Sequence, residues 1–149
     1  MKTLRLRGFT LIELLVVIGI LAVLLAITLV AINPQKQFQQ ANDTQRQSDV
    51  NAILNAINQY AVDQKGQLPG AITGSQTAIS DTGVDLCATL VPEYLAALPA
   101  DPTGATLGAP ITDCGSAYDT GYTVATTGNN RVSVVAPSAE QAASISATR

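Results

Sequence analysis

One apolar run dominates the pattern of this chain: Leu14 to Ile27 contains no polar side chain, and a lone carboxylate, Glu13, stands at its mouth. As an α-helix, Phe9 to Ile32 would be about 36 Å long at 1.5 Å per residue, enough to cross a hydrocarbon core of about 30 Å. Asn33-Pro34 follows. A proline inside a helix deletes one hydrogen bond and clashes with the preceding turn, so a kink or short melted stretch is expected there. Gln35 to Asp49 is almost entirely polar and lacks Gly and Pro, which predicts a helical stalk, solvated or packed against other subunits. Then the period changes. Val50, Ile53, Leu54, Ile57, Tyr60 and Ala61 recur at three- and four-residue intervals, the mark of one apolar helix face onto which a sheet packs. Gly66 ends this helix, with Lys65 in its last turn and Pro69 beyond.

Beyond the helix the elements are shorter. Leu68 to Asp85, rich in Gly, Thr, Ser and Ala without a sustained period, reads as a long surface loop. Val91 to Leu98 predicts a short helix with Pro92 in its first turn, stopped by Pro99 and Pro102. Tyr122 to Thr126 and Arg131 to Ala136 flank Thr127-Gly128-Asn129-Asn130 and predict a hairpin. Ser144 to Thr148 predicts a last strand after the turn at Pro137-Ser138. The sum is an α+β fold: one long helix carrying a small antiparallel sheet.

A carboxylate in a membrane-spanning segment is costly to insert and usually serves a pairing role. Here it closes the run Arg5-Leu6-Arg7-Gly8-Phe9-Thr10-Leu11-Ile12-Glu13. This stretch resembles the prepilin signal of type IV pilins and of the pseudopilins of type II secretion: a short basic leader, Gly, then Phe-Thr-Leu-Ile-Glu and an apolar helix. The resemblance implies that a prepilin peptidase cuts between Gly8 and Phe9 on the cytoplasmic side and methylates the new amino terminus on Phe9. It makes Glu13, fifth in the mature chain, the assembly carboxylate. It also implies the α+β pilin fold. The helix-disrupting proline common in pilins corresponds to Val30, so Pro34 places the kink about one turn further on. Leu98-Pro99-Ala100-Asp101-Pro102-Thr103-Gly104, with Gly121-Tyr122 downstream, resembles the Leu-Pro, Asp-Pro and Gly segment of the family, with Thr103 where an aromatic is usual.

The resemblance divides the chain into a cleaved leader (1–8), a membrane and filament-core helix (9–32), a helix extension (33–66) and a globular domain (67–149). An ordinary secretory signal is the rival reading of the first segment; Glu13 and the length of the apolar run count against it. Lys2, Arg5 and Arg7 fix the amino terminus in the cytoplasm by the positive-inside rule, leaving the residues after Ile32 outside. Small residues Gly19, Ala22 and Ala26 lie near one side of the helix; they suit close helix packing, although Gly and Ala are simply common in membrane helices.

Charge and residue types narrow the function. Loss of the leader removes three of eight basic residues and takes the formal charge from −3 to −6. The remaining cations, Lys36, Arg46, Lys65, Arg131 and Arg149, are spread along the chain, which argues against direct nucleic-acid binding. The sequence contains no histidine, so His-based triads and the usual zinc sites are excluded, and no cofactor is expected. Asp101, Asp113 and Asp119 lie in a Gly-rich stretch where some relatives hold calcium, but solvated loop acids are the favoured reading and no metal is assigned. Cys87 and Cys114 are the only cysteines; in an exported domain one disulfide is favoured over two free thiols, though pairing is not visible in sequence.

The resulting expectation is a structural subunit of a type IV pilus-like surface filament, not an enzyme. Its partners would be membrane lipid before assembly, the prepilin peptidase, an assembly platform with its ATPase, and further copies of itself, with Glu13 pairing with the Phe9 amino terminus of a neighbour. A pseudopilin of a secretion or DNA-uptake system uses the same parts in a short piston. A membrane-anchored binding protein that never polymerises, contacting a partner through Gly70 to Asp85, remains the reading of a different class.

Overall fold

The structure is a computed structural model that describes residues 8–69, 72–142 and 144–149. The leader cations Lys2, Arg5 and Arg7, and Gly70 of the proposed contact loop, lie outside the described residues. The chain forms two compact units, one ending at Phe38 and one spanning Gln39–Arg149.

In the first unit, helix α1 runs Leu11–Ile32 and none of its residues is buried. It ends because Asn33 adopts a left-handed conformation (φ 44°), which Asn tolerates better than most residues. Pro34, which has no N–H to lose, then opens helix α2, Pro34–Asp63. The break expected at Asn33-Pro34 is therefore present.

In the second unit, the remainder of α2 buries Arg46, Val50, Ile53, Leu54, Ala56 and Ile57. Lys65 and Gly66 both take positive φ after Asp63, and the Gly66 N–H reaches back 2.7 Å to the carbonyl of Ala61, satisfying an end-of-helix acceptor. A four-stranded antiparallel sheet packs on this helix, its strands β1 (Thr77–Ser80), β2 (Asp119–Thr127), β3 (Arg131–Ala136) and β4 (Ile145–Thr148) lying in sequence order. Alternate residues Tyr122 and Val124 of β2 and Val132 and Val134 of β3 point inward and meet the helix stripe, with Ile79, Leu86, Leu90 and Leu98 closing the core. The hairpin and the last strand stand where the sequence placed them, and the turn between β2 and β3 is one 3-10 turn, Gly128–Asn130, with Asn129 at φ 67°.

Two expectations need correction. The stretch read as one long loop contains strand β1, which the pattern hides because Ile79 is its only large apolar residue. Its outer side is capped by the loop itself, where the Val84 N–H donates to the carbonyl of Ala78 at 2.9 Å. The short helix expected over Val91 to Leu98 is instead helix α3 at Cys87–Leu90, and Val91 is extended (φ −99°, ψ 134°). Pro92 disfavours helical geometry in the residue before it, so the helix closes there and a turn follows.

Candidate assembly site

Thr10, extended at φ −81° and ψ 151°, caps the first turn of α1. The first N–H groups of a helix have no partner inside it, and here the Glu13 N–H donates to Thr10 Oγ1 at 3.2 Å. Reciprocally, Glu13 Oε2 accepts from the Thr10 N–H at 2.9 Å and from the Thr10 hydroxyl at 2.8 Å. This capping box turns Thr-Leu-Ile-Glu into a self-satisfying helix start, and the negative carboxylate sits where the helix dipole favours it. Both protein donors reach one oxygen of Glu13, Oε2. Gly8 and Phe9 immediately precede the cap and are exposed, Phe9 by 84%.

The apolar flank of α1 is equally open. Phe9, Ile12, Glu13, Val16 and Val17 line one shallow groove of about 410 Å³. Leu15, Val16, Gly19, Ile20, Val23 and Leu24 line another of about 420 Å³, and beyond its chain neighbours and the backbone of its own helix no described atom lies within 4 Å of where a Cβ on Gly19 would be. The helix is long and apolar enough to cross a membrane.

The second unit holds a different charge, which the sequence reading missed. Arg46 is fully buried, and its guanidinium makes a two-pronged pair with Asp101, Nε to Oδ2 at 2.8 Å and Nη2 to Oδ1 at 3.0 Å. Nη1 donates to Asp43 at 2.9 Å and to Glu140 at 3.1 Å, and Nη2 to the Thr103 hydroxyl at 2.7 Å. One side chain thus ties α2 to the Asp101 turn and to the segment before β4. Asp43 strengthens the second tie by accepting the N–H groups of Glu140 and Gln141 at 3.0 and 2.8 Å. The signal was present: Arg46 lies four residues before Val50 and seven before Ile53, on the extension of the apolar stripe.

Asp101 is accordingly not the solvated loop acid expected; it is 1% exposed and committed to Arg46. Burial pushes its carboxyl up, but Arg46 and the Thr103 N–H and hydroxyl outweigh that and hold it below the usual carboxylate range. Its close seat against the sheet depends on Gly121, at φ 75°, because a Cβ there would come within 2.8 Å of the Asp101 Cβ. Asp43 is also held low: burial works against it, and the Glu140 and Gln141 N–H groups prevail. Asp49 moves the other way. Burial raises it despite the hydrogen bond from the Tyr122 hydroxyl at 2.8 Å, and the Asp101 charge adds to the rise.

Asp113 and Asp119 remain exposed, each accepting the backbone N–H two residues on, from Gly115 and Gly121. Among the described residues no group of three or more His, Cys, Asp or Glu is placed to hold a metal ion. Cys87 and Cys114 form a disulfide with Cα atoms 5.4 Å apart, fastening the long 99–118 connection to α3.

A capped, fully exposed apolar helix ahead of a self-contained α+β unit defines a pilin-like structural subunit. The Prokaryotic N-terminal methylation motif matches residues 5–29. The type II secretion system core protein G of Klebsiella pneumoniae is 36% identical over 102 residues, covering 67% of this chain and 71% of that protein. No solved structure matches the chain. The chain belongs to the type IV pilin and type II secretion pseudopilin family, whose members are structural rather than enzymatic.

Proposed function

We propose that the chain is made as a membrane-anchored precursor, cut between Gly8 and Phe9 by a prepilin peptidase, methylated on Phe9, and then drawn into a filament whose core is α1. Its work is assembly rather than catalysis. The observation that carries this reading is Glu13: one carboxylate, held at the first turn of a helix with no buried residue, beside the junction where a new amino terminus would arise. A neighbour's Phe9 ammonium is the complementary charge, and pairing the two in an apolar core sets register between copies. The leader charges favour a globular unit outside the membrane, and the filament would then grow from the outer face of the cytoplasmic membrane towards the cell surface, served by a platform protein and ATPase.

The identity to a secretion core protein favours a second form of the same reading, a short pseudopilus rather than a long surface pilus. Both are filaments of this subunit and differ in length. The test is to purify filaments from the source cells and weigh their subunit. A chain starting at Phe9 and heavier by one methyl group is expected. Processed protein that is abundant in the membrane yet never recovered in a filament would overturn the polymer reading in favour of an anchored binding protein.

A further inference from the structure

A shallow groove on the second unit has walls of mixed chemistry and takes part in none of the contacts described so far. On the flank of α2, Asn55, Gln59 and Val62 follow one another at four- and three-residue steps and so share one side of the helix. Together with Tyr94, Leu95 and Arg149 they line a depression of about 570 Å³. Main-chain bonds hold the side away from α2. The Tyr94 and Leu95 N–H groups both donate to the carbonyl of fully buried Leu90, at 2.9 and 3.0 Å, and Tyr60 of α2 meets the Tyr94 ring edge-to-face with centroids 5.7 Å apart. The Arg149 N–H donates to the Val132 carbonyl at 3.0 Å and its carbonyl accepts the Val132 N–H at 2.7 Å, opposite a side chain that points towards the helix. From there the guanidinium reaches α2 and donates to Asn55 Oδ1 at 2.7 Å.

Several polar groups of the groove are left uncommitted. Among the described residues the Arg149 guanidinium makes no ion pair, and Asn58, which also lines the groove, has a buried Nδ2 with no acceptor. Around Tyr94 the charge is of the opposite sign: loss of water pushes its hydroxyl above the ordinary phenol value, and the carboxylates of Asp63 and Glu93 add to the rise. Planar amides, a guanidinium and carboxylates thus surround one aromatic ring. Adjacent hydroxyls of a sugar ring each donate and accept, so they match side chains that offer two polar atoms in one plane, while the C–H face of the sugar is apolar enough to lie on a tyrosine. A simple anion would engage Arg149 but meet the charges of Asp63 and Glu93, and a chain with a formal charge of −3 disfavours a polyanion. A wholly apolar ligand would strand the amides and the guanidinium without partners.

We propose that this groove binds a neutral saccharide, with one sugar ring on Tyr94 and its hydroxyls on Arg149, Asn55 and Gln59. Every group belongs to a single copy, so the site does not depend on whether the chain polymerises. Because both walls are fixed before any ligand arrives, little ordering is needed on binding.

The sequence contains no tryptophan, so Tyr94→Trp puts a single reporter in the groove and keeps an aromatic face. The full-length variant, in a zwitterionic detergent free of sugar headgroups, is titrated with maltohexaose, cellohexaose, chitohexaose and xylohexaose. At least one should shift the tryptophan emission with a Kd of about 1 mM or below, the range of a small, shallow site. The same sugar should receive NMR saturation transfer from the wild-type chain and from Tyr94→Phe. Arg149→Ala or Asn55→Ala, with thermal unfolding unchanged, should weaken binding about fivefold or more, the net worth of one hydrogen bond. No emission shift and no transfer with any of these sugars, or binding that survives Tyr94→Ala combined with Arg149→Ala, would overturn the assignment. Tighter binding of hexagalacturonate that disappears in salt would overturn it in favour of a carboxylate ligand.

Discussion

Helices α1 and α2 are both regular, yet α1 buries none of its residues while α2 buries six, one of them an arginine. Each carries an unusual charge. Arg46 is served inside its own unit by three carboxylates and a hydroxyl within 3.1 Å, so this buried charge needs no second copy. Among the described residues Glu13 is held by Thr10 alone, on a helix whose large apolar side chains are all exposed. Arg46, completed from within, is a structural hub; Glu13, on an exposed apolar helix, is the charge that the proposed assembly would complete.

The contrast can be broken first at Arg46. Arg46→Met removes the partner of a buried carboxylate, and breaking one half of such a pair costs about 3 to 5 kcal/mol. Denaturant unfolding of the detergent-solubilised chain should show a loss of that size, and adding Asp101→Leu should recover most of it, since an apolar replacement of both partners is often close to neutral. A loss below about 1 kcal/mol would mean the hub is not what completes the unit. The disulfide comes next. A bridge with a sequence separation of 27 is worth about 3.5 kcal/mol in chain-entropy models and typically 2 to 4 in practice. Cys87→Ser with Cys114→Ser should lower the unfolding midpoint accordingly without changing the membrane insertion of α1.

The smallest effect concerns pH. Asp101 and Asp43 have folded-state values held below the ordinary carboxylate range, so their contribution is complete above about pH 4 and is lost as pH falls through the folded values. Asp49 is raised, so its contribution has the opposite sign and is lost as pH rises through its folded value. Asp49→Asn keeps an acceptor for Tyr122 and should leave neutral-pH stability within about 1 kcal/mol, the scale of one net hydrogen bond, while acid unfolding driven by Asp101 persists. Disappearance of the acid transition in that variant would contradict the raised value of Asp49 and its sign.

Most of the architecture was legible because it follows from period. The apolar run, the stripe at Val50 to Ala61, the hairpin and the final strand each carry a repeat that the backbone imposes. The elements that were misread lack one. Strand β1 has a single large apolar residue, and helix α3 is four residues long, too short for a periodic face. At the sites, the stretch from Gly8 to Glu13 stands out in sequence because its motif is continuous, and the capping box of Thr10 and Glu13 lies within it. Asp101 does not, because its partner lies 55 residues away on α2 and the only hint was a cation at stripe spacing.

Glu13 is the residue on which the proposed assembly turns. Surface or secretion filaments should be counted in cells making Glu13→Leu at levels of inserted, processed protein matched to wild type. Insertion should be intact or improved, cleavage at Gly8–Phe9 should persist, and filaments should be lost or sharply reduced, with Glu13→Asp intermediate because the shorter side chain keeps the charge but misplaces it. Normal filament number with Glu13→Leu would remove the assembly role and leave α1 a plain anchor.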